Sequence, residues 1–198
     1  MQINIDKKTG VFLAIIAALV VVIAFISFGS GRGGHDGKRD MGMHEGDKKE
    51  SAMNGSDQMF LQMMIPHHEQ AVEMSDLALA KSKNPEVKKL ATQIKDAQSA
   101  EIISMKSWLE GAGMSEHTGH DMDHGMGGMM DPEQMQTLKT ATGKDFDKLF
   151  LAGMIAHHEG ALHMVMMIKD STDSKLLTLH DNIVKTQSAE IDLMKRLL

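Results

Sequence analysis

The sequence contains no cysteine and no tyrosine, and only three prolines and one tryptophan among its 198 residues. Without cysteine the chain cannot form disulfides, cysteine-based zinc sites, a thiol nucleophile, a c-type haem attachment or a lipid-modified cysteine anchor. Six phenylalanines supply nearly all of the aromatic residues, so we expect an aliphatic core that is rich in methionine.

An excess of positive charge is also missing. The net charge is −6 and the isoelectric point is about 6.0. Nucleic acid binding normally requires a basic face, so we expect no nucleic acid partner. What the chain has in excess is methionine and histidine, with 20 and 11 residues. A methionine thioether fills gaps in a core and also ligates soft metal ions.

One unit of the sequence occurs twice. Residues 60–74 read FLQMMIPHHEQAVEM and residues 150–164 read FLAGMIAHHEGALHM, an offset of 150 − 60 = 90. A second pair, QSAEIISMKSWL at 98–109 and QSAEIDLMKRLL at 187–198, has an offset of 187 − 98 = 89. A long repeat at a nearly constant offset predicts a duplicated structural unit.

The amino-terminal part has no such repeat. After a short tail at 1–10, residues 11–28 form an apolar run, slightly shorter than the ~20 residues that usually span a bilayer as a helix. We predict a single-pass transmembrane signal anchor over 11–29 in the inner (cytoplasmic) membrane, with a cleaved secretory signal as the alternative. The glycine-rich, charged segment 30–55 predicts a disordered tether. It carries Met41, Met43 and His44.

From residue 56 onward, apolar residues recur with the period of a helix. Two helical hairpins with wide apolar stripes would bury them against each other, so we predict an all-α four-helix bundle with pseudo-two-fold symmetry. Its first hairpin covers 56–110, a linker covers 111–131, and a short helix with the second hairpin covers 132–198.

Several residues set the expected ends of these helices. Asn84 before Pro85, and Asp131 before Pro132, have the pattern of a helix start. Gly143 is expected to end the short helix, and the third long helix is expected over about 145–169. Pro66 lies inside the first helix and predicts a kink there, because it removes a backbone hydrogen bond.

The stripes of the predicted bundle contain polar residues. His67 and His157 lie in the middle of their stripes, His68 and His158 lie at the shoulder, and the neighbouring glutamates of the motif point to solvent. Glu101 and Glu190 fall inside the stripes of the second and fourth helices. A buried carboxylate has to be paired, so one interpretation is a hydrogen-bonded histidine–glutamate network that fixes the register of the helices.

The other interpretation is a metal centre in the bundle. Its ligands would be the inward histidines and glutamates with two flanking methionines, namely Met64, His67, His68, Glu101, Met154, His157, His158 and Glu190. No glutamate in the bundle is followed by histidine at the third position, which argues against a ferritin-type di-iron site. The sequence is compatible with both interpretations.

The linker is the second candidate metal site. Residues 114–130 read MSEHTGHDMDHGMGGMM, with no helical or strand period, so we expect none of its methionines in the core. Thioethers beside imidazoles select Cu(I) or Ag(I), and the imidazoles also suit Cu(II), although a low-complexity loop remains the alternative. The candidate ligands are Met114, His117, His120, Met122, His124, Met126, Met129 and Met130, with Met41, Met43 and His44 of the tether.

This ligand chemistry favours a location outside the cytoplasm. Cysteine thiolates are available as copper ligands in a reducing cytosol, but in an oxidising space they are lost to disulfides. A cysteine-free set of methionine and histidine ligands can still bind copper in such a space. We therefore expect the carboxyl-terminal domain to be extracytoplasmic, in the periplasm if the cell is Gram-negative.

The motifs MMIPHHEQAVEM and MIAHHEGALHM, the second preceded by GKDFDKLFL, resemble domain-of-unknown-function family 305. The resemblance covers residues 57–198 and implies a ferritin-like four-helix bundle. Family members of the CopM type are periplasmic copper-binding proteins, so the resemblance implies copper handling rather than a defined reaction.

We therefore expect a membrane-anchored copper-binding protein that sequesters or relays Cu(I), with Ag(I) and Cu(II) as further ions. Its expected partners are metal ions, the membrane and copper-delivery or efflux proteins. A binding protein is favoured over an enzyme. Two alternatives remain, a ferritin-like metalloenzyme with a histidine–glutamate centre, and a metal-free structural module of the envelope.

Overall fold

The computed structural model describes residues 53–116 and 127–198. The regular secondary structure of these residues is entirely helical. Its helices are α1 (Gly55–Lys81), α2 (Pro85–Gly111), α3 (Pro132–Thr140), α4 (Gly143–Met164), a 3₁₀ helix (Val165–Ile168) and α5 (Ser174–Leu197). None of these helices is long and apolar enough to cross a membrane. The predicted anchor at 11–29 and the tether at 30–55 lie outside the described residues, except for the tether's last three residues.

Capping residues explain where the helices begin. Asn54 accepts a hydrogen bond from the Asp57 amide, and Asp131 closes a similar capping box at the start of α3. Asn84 caps α2 and is followed by proline at the first helical position, as the sequence predicts. These side chains satisfy amide groups that a helix start leaves without an intrahelical partner.

The second hairpin differs in detail from the prediction. The short helix already ends at Thr140, and Gly143 begins α4 rather than ending α3. Ala141 and Thr142 have extended backbone, and they separate the two helices before Gly143. The predicted third helix over 145–169 is also interrupted, since its last turn, Val165–Ile168, tightens into 3₁₀ geometry.

The four long helices pack in a definite order. α1 packs along α2 and α4 packs along α5, which gives the two predicted hairpins. The hairpins meet mainly through α1 and α4, the two helices that carry the repeated His-His-Glu motif. The buried positions of α1 include a single helix face, which consists of Phe60, Met64, His67, Ala71, Met74 and Ala78.

The core is divided into two hydrophobic clusters. The first cluster contains Met74, Ile94, Phe146, Phe150 and Met154 among its members. The second cluster contains Phe60, Met64, Met105, Met164 and Ile183 among its members. On every long helix the residues of one cluster are separated from those of the other by polar residues, and these form the candidate site.

Candidate functional site

A layer of polar side chains crosses the bundle between the two clusters, and we call it the polar layer. All four of its histidines are completely shielded from solvent. Its members are His67, His68, Gln98, Glu101, His157, His158, Gln187 and Glu190. The rings of His67 and His157 lie against each other, with centroids 3.8 Å apart and planes inclined by 39°. The structure therefore brings together the two histidines that the sequence places in the middle of their stripes.

Each of the outer histidines, His68 and His158, has a carboxylate partner, and the contact is the same in both repeats. His68 Nε2 lies 2.8 Å from Glu101 Oε2, and His158 Nε2 lies 2.7 Å from Glu190 Oε2. An ionised carboxylate can only accept, so each Nε2 carries the proton and donates. Glu101 and Glu190 thus bond to the outer pair of histidines.

The glutamates of the His-His-Glu motif lie outside the polar layer. Glu69 is exposed and forms a 2.9 Å ion pair with Lys106. Glu159 is exposed in the same way and lies 3.2 Å from Lys195. Ion pairs in such exposed positions contribute little to stability, about 0–1 kcal/mol. The predicted outward direction of both glutamates is confirmed.

The inner histidines donate to main-chain carbonyls. His157 Nε2 lies 2.8 Å from the His67 carbonyl oxygen, whereas His67 Nε2 lies 3.2 Å from the carbonyl oxygen of Gly127 in the linker. A carbonyl oxygen accepts and cannot donate, so both rings carry their proton on Nε2. The two repeats are not equivalent here, because the linker supplies one of the two acceptors.

Burial makes the inner rings weak bases. Burial, with the nearby His68, lowers the pKa of His67 to about 3, although the hydrogen bond to Gly127 raises it in part. Burial also lowers the pKa of His157 well below 6.5, and the neighbouring His67 and His158 lower it further. Both imidazoles are therefore neutral at pH 7, and a neutral imidazole is the form that ligates metal ions.

The polar layer contains buried atoms that have no hydrogen-bond partner among the described residues. They are Nδ1 of His67, His68, His157 and His158, both amide atoms of Gln98, and Oε1 of Gln187. A buried polar atom without a partner costs about 1–3 kcal/mol, and such atoms are uncommon in folded proteins. Their concentration in one layer marks it as a site rather than as ordinary core.

The end of the linker is attached to the bundle beside this layer. We call residues 127–130 the exit segment. The Gln70 side chain binds the main chain of Met130 twice, donating to its carbonyl at 2.8 Å and accepting from its amide at 2.7 Å. A Cβ atom at Gly160 would overlap the carbonyl of Gly127, and one at Gly128 would overlap the carbonyl of Ala156. The exit segment therefore lies in direct backbone contact with α4.

Sequence reasoning missed the exit segment, although the repeat contains a signal for it. The second repeat has Gly153, Ala156 and Gly160 where the first, 90 residues earlier, has Met63, Pro66 and Gln70. The Met130 side chain occupies the space above Gly153, where a Cβ atom would meet its terminal methyl group. Three larger side chains replaced by small ones on one helix face would have indicated that another segment packs there.

The structure divides the predicted linker ligands into two groups. Met114 packs against the second cluster and Met130 against the first, so the prediction that no linker methionine enters the core is wrong for these two. Hydrogen bonds from α1 hold the main chain beside both methionines. Gln62 donates to the Ser115 carbonyl at 2.7 Å, and Gln70 donates to the Met130 carbonyl. Met129 lines a surface cleft of about 590 Å³ between α3 and α4. The other candidates lie outside the described residues, and they are Met41, Met43, His44, His117, His120, Met122, His124 and Met126.

The predicted ligands in the bundle do not all converge. Met64 belongs to the second cluster and Met154 to the first, so the two thioethers lie on opposite sides of the polar layer. Over residues 53–116 and 127–198, no group of three or more histidine, aspartate or glutamate side chains is arranged to hold a metal ion.

The attachment of the exit segment leads to a testable expectation. Gly128→Ala should lower the free energy of unfolding by about 2 kcal/mol, because the residue has φ of +84° and its Cβ would meet the Ala156 carbonyl. Gly113→Ala is the matched control, since Gly113 has φ of +68° with open space around it. That control should lose only the ~1 kcal/mol of left-handed backbone strain. Urea unfolding of both variants measures the difference, and equal losses would show that the exit segment is not held against α4.

Solved structures with this fold include one protein, CopM, that was crystallised with bound metal ions. A putative secreted protein from Streptomyces coelicolor is 31% identical, with 75% of this chain and 94% of that chain covered and a TM-score of 0.69. CopM in its Cu(I)-bound form is 37% identical, with 71% and 94% covered and a TM-score of 0.60. CopM in its Cu(II)-bound form is 38% identical, with the same coverage and a TM-score of 0.59.

Sequence comparison adds two further findings. An uncharacterised protein, L153, of Acanthamoeba polyphaga mimivirus is 43% identical over 54 residues, and the match spans 36% of that protein and 27% of this chain. The model of the family described as Domain of unknown function (DUF305) matches residues 57–198, which include both hairpins and the polar layer. The chain therefore belongs to the DUF305 family.

Proposed function

We propose that this protein is an extracytoplasmic copper-binding protein that sequesters or relays Cu(I), and that it is anchored in the membrane by its amino-terminal apolar run. The observation that carries the proposal is its similarity to CopM, at 37% identity over 71% of this chain, because CopM was crystallised with Cu(I). CopM was also crystallised with Cu(II) and with silver, the ion that most closely imitates Cu(I).

The composition of this chain supports the same cargo. Thioethers and imidazoles are the donors that suit Cu(I) without thiolates, and the chain has 20 methionines, 11 histidines and no cysteine. The linker places five of these donors between its two attached ends, namely His117, His120, Met122, His124 and Met126. Copper is the cargo in this proposal and no reaction is assigned to it.

The proposal is tested by titrating the full chain with Cu(I) against a competing chelator. In the linker variant the five donors become Leu or Gln (Met→Leu, His→Gln), while Met114, Met129 and Met130 keep their contacts with the bundle. We expect the variant to bind fewer Cu(I) ions per chain, with an unchanged helical circular dichroism spectrum, because every helix and every described contact between the linker and the bundle is kept.

The matched control replaces two exposed methionines of the bundle, Met59 and Met166, by leucine. These side chains are 50% and 52% exposed, so their removal should leave both the fold and the Cu(I) stoichiometry unchanged. If the wild-type chain does not compete with the chelator for Cu(I) at all, the copper-binding proposal is wrong. If the linker variant binds as many Cu(I) ions as the wild type, the ligands lie elsewhere in the chain.

A further inference from the structure

Met130 attaches the exit segment to the bundle in two ways. Its main chain is held by the Gln70 side chain, which accepts from the Met130 N–H at 2.7 Å and donates to its carbonyl at 2.8 Å. Its side chain packs against the first cluster, with the terminal methyl group in the space that a Cβ atom at Gly153 would fill. The Met130 sulfur lies 3.4 Å from that position, and the Met74 methyl group borders the same space at 3.3 Å. The attachment therefore depends on an apolar side chain that fits closely against α4.

Met130 is also accessible to small solutes. It is partly exposed, and it lines the surface cleft of about 590 Å³ between α3 and α4. Met74 and Met154, which belong to the same cluster, are completely shielded from solvent. A peroxide is small enough to enter a cleft of this size. Of these three methionines, only Met130 is therefore open to oxidation while the protein stays folded.

We propose that Met130 is an oxidation site, and that conversion of its thioether into a sulfoxide by a peroxide releases the exit segment from α4. In this reaction the O–O bond of the peroxide breaks and one oxygen atom is transferred to the sulfur, which loses two electrons. Hydrogen peroxide is reduced to water. The product is methionine sulfoxide, a polar side chain that cells can reduce again. The inference concerns a modification and does not depend on copper binding.

A sulfoxide does not fit the place that the thioether occupies. It is polar and larger by one oxygen atom, and the space above Gly153 is bordered by the Met74 methyl group and the backbone of α4. The backbone amides in the middle of α4 are already bonded within the helix, so they cannot donate to the new oxygen. A polar group that is buried without a hydrogen bond is unfavourable, so oxidation shifts the equilibrium toward the released segment by about 10–100-fold.

Release of the exit segment changes the polar layer. The carbonyl of Gly127 accepts from His67 Nε2 at 3.2 Å and lies against the backbone of Gly160. Both contacts require that the segment is attached. After release, the buried His67 N–H loses its acceptor, and the small-residue face of α4 around Gly153 and Gly160 is uncovered. Oxidation of one methionine outside the layer thereby changes the hydrogen bonding inside it.

The experiment treats the metal-free full chain with hydrogen peroxide in the presence of a chelator. Peptide mass spectrometry follows the sulfoxide at each methionine. Hydrogen exchange measured by NMR follows the Met130 amide, which donates to Gln70 in the attached segment. We expect Met130 to be oxidised faster than Met74, and the Met130 amide then to exchange about 10–100-fold faster. The amide of Ile94, a completely buried residue inside α2, should keep its rate.

Variants separate Met130 from the other methionines. Met130→Leu keeps an apolar side chain that peroxide does not oxidise, so the amide at this position should stay protected after treatment. Met130→Gln imitates the polar sulfoxide and should show the fast exchange before any treatment. Met129→Gln is the matched control, because Met129 lines the same cleft whereas Met130 occupies the space above Gly153. This control should exchange like the wild type.

Three results would overturn the inference. Oxidation of Met130 no faster than that of Met74 would show that the folded protein shields its thioether. A Met130 sulfoxide with an unchanged amide exchange rate would show that oxidation does not release the exit segment. Faster exchange in treated Met130→Leu would assign the release to a different methionine. The first two results come from the wild-type chain, so the test holds even if a variant fails to fold, and neither depends on the binding of Cu(I).

Discussion

Acidification of the metal-free protein from pH 7.5 to pH 5.0 is expected to lower its free energy of unfolding by about 2 kcal/mol through His67, with a further loss in the same direction through His157. Burial and the neighbouring histidines hold the pKa of His67 at about 3 and the pKa of His157 well below 6.5. The His67 ring therefore stays neutral in the folded protein over this range, and folding shifts His157 in the same direction. In the unfolded chain the same rings have a pKa of 6.5, so they take up protons as the pH falls.

The sign follows from proton binding in the two states. Below pH 6.5 the unfolded state binds more protons than the folded state, so stability rises with pH. The contribution of these two histidines to stability is fully present above pH 6.5, and it is lost as the pH falls from there toward their pKa values in the folded protein. His67 contributes about 1.4 kcal/mol per pH unit in the window between its two pKa values, which gives about 2 kcal/mol at pH 5.0, and His157 adds to this loss.

Urea unfolding at several pH values measures this dependence. His67→Gln removes the group with the pKa of about 3, so the loss between pH 7.5 and pH 5.0 should fall by about 2 kcal/mol. The comparison uses the slope of each protein and is independent of the absolute stability of the variant. A wild-type stability that does not change over this range would show that the inner histidines are protonated in the folded state.

The directions of side chains could be predicted from the sequence, because they depend on helical periodicity alone. The period of ~3.6 residues places His67 and His157 inward and Glu69 outward, and the structure agrees with both. It also places Glu101 and Glu190 on buried faces. The same period cannot identify their partners, since the axial register of two helices depends on loop length and packing. Both glutamates contact the outer histidines, His68 and His158.

The attachment of the linker could not be predicted from periodicity, because the exit segment has no regular structure. It depends on main-chain atoms, such as the Gly127 carbonyl, which every residue type possesses. The exit segment is held at this place because Gly153 and Gly160 have no side chain to exclude it and because the Gln70 amide group donates to Met130. Comparing the two repeats position by position recovers part of this information, since departures from the duplication mark where the halves acquired different roles.

Glu190→Ala is expected to lower the free energy of unfolding by about 3 kcal/mol, whereas Glu159→Ala should change it by less than about 0.5 kcal/mol. The Glu190 carboxylate is 5% exposed and accepts from His158 Nε2 at 2.7 Å. Its removal leaves a buried donor without a partner, which costs ~1–3 kcal/mol for a neutral ring and ~3–5 kcal/mol for a charged one. Glu159 belongs to the conspicuous motif, but its ion pair with Lys195 is exposed to solvent.

Urea unfolding with an unchanged m value measures both losses, and Glu190→Gln separates the hydrogen bond from the charge. The glutamine oxygen can still accept from His158 Nε2, so this variant should recover most of the stability if the ring is neutral. A loss as large as that of the alanine variant would instead show that His158 is protonated and needs the carboxylate charge. Equal losses for Glu190→Ala and Glu159→Ala would contradict the polar layer as a structural unit. The stability of the bundle would then be independent of the buried histidine–glutamate contact, although both repeats contain it.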